Sequence, residues 1–200
     1  MKKALLLILF LVSSFCYSQT ADTYSNRGIA KGKLGDYEGA TQDYNKVIEI
    51  NPKYAEAYSN RGITKSKLGD TRGAIQDFNK AIEINPKFTK AYFNRGITKS
   101  ELGDYRGALQ DYNKAIEIDP KSAEAYLNRG IIKSKLGDTR GATQDYNKAI
   151  EINPKYAEAY YNRGIAKGKL GDKNGSCLDF SKAGELGEMR AYDLIKVHCN

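Results

Sequence analysis

The chain has 200 residues, with 32 Lys and Arg against 24 Asp and Glu, three cysteines and a single histidine. That histidine, His198, lies at the C-terminal end, and no Cys/His spacing suits a metal, so a metal centre is not expected. The formal charge of +8 raises nucleic acid as a partner, but the cations are interleaved with Asp and Glu and form no basic run; a solvated face explains them better.

The first segment reads as an address. Lys2-Lys3 precede the apolar run Ala4–Val12, the charged start and short core of a secretory signal peptide. The run is too short to span a bilayer. Cys16 and Ser18 are small residues at the right offset for cleavage after Ser18, so residues 1–18 are assigned to the signal. Acylation of Cys16 is the alternative, and the bulky Phe15 before it counts against it. Nothing later is apolar enough for a transmembrane helix. The expectation is an exported protein, periplasmic or secreted, without stable membrane insertion and remote from nucleic acid.

From Ala21 onward the chain repeats every 34 residues, five times. Tyr24-Ser25-Asn26-Arg27-Gly28-Ile29 returns from Tyr58, Tyr92, Tyr126 and Tyr160, each with its own Asn-Arg-Gly-Ile. A fixed period of this length means stacked supersecondary units. In the first unit Tyr24, Gly28, Ile29 and Leu34 fall at helical intervals and stop at Leu34-Gly35-Asp36. Glycine closes a helix there, and Asp36 is a good N-cap for the next. Ala40, Tyr44, Val47 and Ile48 then form one apolar stripe, ended by Asn51-Pro52. Each unit is thus helix, tight turn, helix, loop, with the units at 21–54, 55–88, 89–122, 123–156 and 157–190. The fifth departs: Ser176 replaces the repeat alanine and Gly184-Glu185-Leu186-Gly187 lacks the proline. Residues 191–200 read as a capping helix over the last apolar face.

The aromatic, Gly, Ala, aromatic and Pro at Tyr24, Gly28, Ala40, Tyr44 and Pro52, repeated at Tyr92, Gly96, Ala108, Tyr112 and Pro120, resemble the tetratricopeptide repeat. The resemblance implies an all-α, right-handed α-solenoid of five helix-turn-helix units plus the cap. Two departures are regular. Arg27, Arg61, Arg95, Arg129 and Arg163 stand where the family usually has Leu, and Lys31, Lys65, Lys99, Lys133 and Lys167 where it has a second aromatic. A half-buried Arg needs a partner, and Asp43, Asp77, Asp111, Asp145 and Asp179 on the second helices offer one. The alternative is an Arg whose stem packs while its head reaches water.

The resemblance also implies that the first helices line a concave groove for peptides. Asn26, Asn60, Asn94, Asn128 and Asn162 map there, where an amide can bond an extended backbone without reading its sequence; capping or bracing neighbouring helices is the competing role. The residue before each Asn varies, and Phe93, Leu127 and Tyr161 are candidate anchors for partner side chains, or else inter-repeat packing. Cys177 and Cys199 make an even count for an oxidising compartment, hence a disulfide, or two buried thiols. No catalytic residues and no cofactor are assigned: the carboxylates recur with the repeat and no Ser-His-Asp set exists. The expected function is an exported scaffold binding a protein or peptide partner in its groove, without enzymatic activity. The alternative is a purely structural module of an envelope assembly with no peptide bound.

Overall fold

The computed structural model describes residues 20–199; the proposed signal segment, Cys16 and the cleavage point at Ser18 lie outside the described residues. Among the described residues every regular element is a helix. The first, α1, covers 20–33. It is followed by α2 (Tyr37–Ile50), α3 (Ala55–Lys67), α4 (Thr71–Ile84), α5 (Thr89–Glu101) and α6 (Tyr105–Ile118). Then come α7 (Ala123–Lys135), α8 (Thr139–Ile152), α9 (Ala157–Lys169), α10 (Lys173–Glu185) and α11 (Arg190–His198).

One three-residue device joins the two helices of each unit. At the end of α1, Gly35 takes φ of 82°, a backbone conformation that carries no penalty only without a Cβ. This lets the Asp36 amide reach the Lys31 carbonyl (3.0 Å) and the Gly35 amide reach that of Gly32 (3.2 Å), so the last carbonyls are satisfied. The Asp36 carboxylate then accepts from the Gly39 amide at 2.8 Å and opens α2. Asp36 therefore closes one helix and starts the next. Asp70, Asp104, Asp138 and Asp172 cap their helices in the same way. The second helices of the first four units stop where Asn or Asp precedes Pro, and Asn51 there has φ of −131°; α10 instead has Leu186 as its C-cap, before Gly187 with φ of 97°.

Within a unit the helices pack through small residues. Ala40, Ala74, Ala108 and Ala142 are fully buried. Gly62 lies so close to the Phe78 ring that a Cβ there would stand 2.8 Å from its Cε1, and Gly130 faces Tyr146 at 2.6 Å. The chain divides into two compact units between Thr98 and Lys99. In the first, Ala21, Val47 and Ala57 form a core with Tyr24, Ile48 and Tyr54 around it. In the second, Leu127, Ala142, Tyr146, Ala149, Ala159 and Ala166 form another.

The last helix, α11, does what a cap must. Its Ala191 is buried with Phe180 and Ala183, and Leu194 and Ile195 pack against them. A disulfide joins Cys177 on α10 to Cys199, just past the end of α11, with the Cα atoms 5.7 Å apart. That spacing lies within the usual range for a bridge.

Candidate functional site

Each repeat carries a buried carboxylate in its second helix, and both regular departures from the family pattern converge on it. Asp145 is 5% exposed and accepts from Arg129 Nε at 2.9 Å and Nη2 at 2.6 Å, a bidentate pair. Lys133 Nζ lies 2.8 Å from its second oxygen. The set recurs as Arg61 and Lys65 on Asp77, and as Arg163 and Lys167 on Asp179. Arg27 and Lys31 do the same on Asp43, and Lys99 meets Asp111 at 2.8 Å. The lysines look like surface residues in the sequence; here they are the second counter-ion. Two cations on one carboxylate leave one positive charge per cluster.

The third Arg nitrogen reaches the preceding repeat. Arg61 Nη1 donates to Asn45 Oδ1 at 2.7 Å, Arg129 to Asn113 at 2.8 Å and Arg163 to Asn147 at 2.8 Å. The guanidinium also lies over the tyrosine three residues earlier, at 5.5 Å for Tyr58 and 5.3 Å for Tyr126. Stacking buries the group: the Arg61, Arg129 and Arg163 side chains are 17–18% exposed, while Arg27, in the first repeat, is 54% exposed. The Arg27 guanidinium bonded to Asp43 holds that carboxyl below its ordinary range, against the opposing effect of burial. These carboxylates are saturated by fixed donors. They hold structure and are not available for proton transfer.

The asparagine register lies on the first helices. Asn26 is exposed, and Asn60, Asn94, Asn128 and Asn162 are half-buried. Asn128 and Asn162 each donate one N–H back to the carbonyl four residues earlier, at 2.9 and 2.8 Å. Such an amide keeps a second N–H and its oxygen for another partner. Three residues on, and so adjacent on the helix surface, stand Ile29 and Ile63, which are 38% and 36% exposed. Sequence reasoning passed over these isoleucines as ordinary stripe residues. One turn before the asparagines, Asp22, Glu56 and Lys90 are exposed, as is Glu124.

The position before each asparagine behaves differently from the expectation. Ser25 and Ser59 are buried, and Leu127 is 2% exposed within the core formed with Ala142 and Tyr146. Leu127 is therefore no anchor for a partner; its side chain is used up in packing between helices. Phe93 and Tyr161 are half-buried. The Tyr161 ring sits 6.0 Å from that of Phe180 and beneath the Arg190 guanidinium at 4.6 Å. Burial pushes the Tyr44 hydroxyl up to about 12, and those of Tyr112 and Tyr146 further, so these rings serve as packing and not as acids. Among the described residues no group of His, Cys, Asp and Glu could hold a metal ion, and no helix is long and apolar enough to cross a membrane.

Comparison with known proteins agrees with this construction. The TPR repeat family matches residues 33–69, 99–137 and 134–171, and the tetratricopeptide repeat description also matches 55–88 and 78–110. No curated protein matches the chain by sequence. Among solved structures, the MamA protein is 27% identical, with a TM-score of 0.74 over 88% of this chain and 96% of MamA. The pilF protein of Pseudomonas aeruginosa superimposes with a TM-score of 0.83 at 18% identity, over 90% of this chain and 85% of its own. YrrB, described as a TPR protein with an unusual peptide-binding site, gives a TM-score of 0.71 at 22% identity, over 86% of this chain and 90% of YrrB. With its helix pairs, Leu-Gly-Asp turns and family matches over more than half its length, the chain belongs to the tetratricopeptide-repeat family.

Proposed function

We propose that this chain is an exported scaffold whose first helices hold extended polypeptide segments of a partner protein. Tetratricopeptide arrays are protein-interaction scaffolds and not enzymes, which fits the saturated state of the buried carboxylates. The observation that carries the finer reading is the asparagine at one register of every first helix, flanked by an isoleucine one turn on. Repeated amides serve a repeating backbone, and isoleucine adds apolar area that does not select a sequence. Side-chain selection then falls to positions that differ between repeats, Phe93 and Tyr161 among them. Export is supported by the Lys2-Lys3 start with its apolar run and by a disulfide, which persists in oxidising compartments.

A photo-crosslinking residue placed at Ile63 in cells tests the groove. It should capture one reproducible protein in the periplasm or medium, and Asn60→Ala should reduce that adduct several-fold without changing the fold. An adduct unaffected by Asn60→Ala, or none at all, refutes peptide holding on this face. Recovery of the protein from the cytoplasm with Met1–Ser18 intact refutes export.

A further inference from the structure

The fifth repeat and its cap border an open-sided cavity of about 590 Å³, within the size range of small-molecule sites. Its floor is apolar, formed by Tyr161 and Ile165 of α9, Phe180 of α10 and Leu194 of α11, with the exposed Val197 at its rim. Departures from the repeat help to make the space. Gly168 stands where Ser66, Ser100 and Ser134 occur in the middle units, and the short α11 replaces a full first helix. Ser176, the odd residue of the fifth unit, turns inward and donates to the Gly164 carbonyl at 2.8 Å, so it adds no unmet polar group to the wall.

The charge of the lining is one-sided. Lys169 and Lys173 border the cavity, His198 lies beside them, and no Asp or Glu lines it. Other lysines of this repeat are already committed, Lys167 to Asp179 and Lys182 to Glu185. Lys169 and Lys173 are exposed and have no carboxylate partner among the described residues. An apolar floor under two uncommitted ammonium groups fits a guest with an apolar body and one anionic end.

We infer that this cavity binds an amphipathic monocarboxylate, an unbranched or aryl chain of about ten carbons seated on Phe180 and Leu194 with its carboxylate at Lys169 and Lys173. Cys177 forms part of the wall, and its bridge to Cys199 ties the end of α11 to α10. The cavity shares Tyr161 with the positions assigned to side-chain selection, but its two lysines lie outside the asparagine register and the inference does not depend on peptide holding.

Calorimetric titration of the oxidised protein with sodium decanoate, below its micellar concentration, tests the inference. One saturable site is expected. Binding should be at least about tenfold weaker in Lys169→Glu/Lys173→Glu, two exposed changes that leave the helical circular dichroism intact. Decyltrimethylammonium, with the same chain and opposite charge, should bind at least about tenfold more weakly than decanoate. The inference is overturned by the absence of saturable decanoate binding, by equal affinity in the double variant, or by equal affinity for the cationic probe. A short peptide ending in Phe that binds where decanoate does not would also overturn it, and would assign the cavity to chain termini.

Discussion

Replacing Arg129 with Leu restores the usual family residue and so isolates what the charged cluster contributes. The substitution removes two charge-assisted bonds to Asp145, one bond to Asn113 and the stack over Tyr126. Stranding a buried charge costs about 3–5 kcal/mol, but here Lys133 stays 2.8 Å from the carboxylate and limits the loss. Leucine returns about 1–2 kcal/mol of apolar burial. The net destabilisation should be about 2 kcal/mol. Asp145→Leu should cost less, since Arg129 and Lys133 are 18% and 22% exposed and can turn their heads to water. In the double variant both leucines pack and Lys133 is solvated, so most of the loss is recovered and the coupling should reach about 2 kcal/mol. Urea titration followed by far-ultraviolet circular dichroism and tyrosine fluorescence measures all three, as the chain has no tryptophan. Single and double effects that add to within about 0.5 kcal/mol would refute the cluster as a coupled unit.

Other outcomes follow from single contacts. Gly62→Ala sets a methyl 2.8 Å from the Phe78 ring and should lose about 1–3 kcal/mol by the same titration, with Phe78→Leu on the same background recovering part of it. Reduction of the bridge, which spans 22 residues, should release about 3 kcal/mol from the cap, seen as faster amide exchange in α10 and α11 with α3 and α4 unchanged. Asp43 has a folded pKa below the unfolded value of about 3.9, so its contribution is present above that pH and is lost as pH falls further; Asp43→Asn should flatten the acid limb of the stability profile. Tyr44 and Tyr156 are raised to about 12, above the unfolded value of about 10, so stability should decline as pH rises between these values; spectrophotometric titration should show them ionising late.

The repeat was legible because its punctuation is chemical. Gly35 and Asp36 announce one helix end and the next helix start, and Asn51-Pro52 ends the unit; α2 begins directly after Asp36 and stops directly before Asn51. The pairing of Arg with Asp was also readable, since a half-buried guanidinium in a helical pair demands a counter-charge. The second cation and the bridging asparagine were not. Lys133 is marked only as a departure from the family aromatic and Asn113 not at all; their roles appear when two helices and the neighbouring repeat are placed together. The residue before each asparagine misled for a related reason. Its variation from Ser to Leu resembles a specificity position, yet at Ser59 and Leu127 it tracks the space left against the next helix. The cavity under α11 was illegible because it depends on where a short, atypical helix comes to rest.

The same saturation that stabilises each repeat also decides where recognition can occur. Within each cluster Arg, Lys and Asp are tied to one another, and the repeat alanines of the second helices are buried. Under the proposed function a partner meets the asparagine amides and the isoleucines beside them. The fifth unit breaks the pattern at Ser176, where every other unit has Ala, and at Cys177, where the others have Thr, Ile or Leu. Phe180, Ala183 and Ala191 already cover the apolar face, so capping alone does not account for the cavity that Lys169 and Lys173 border beside them.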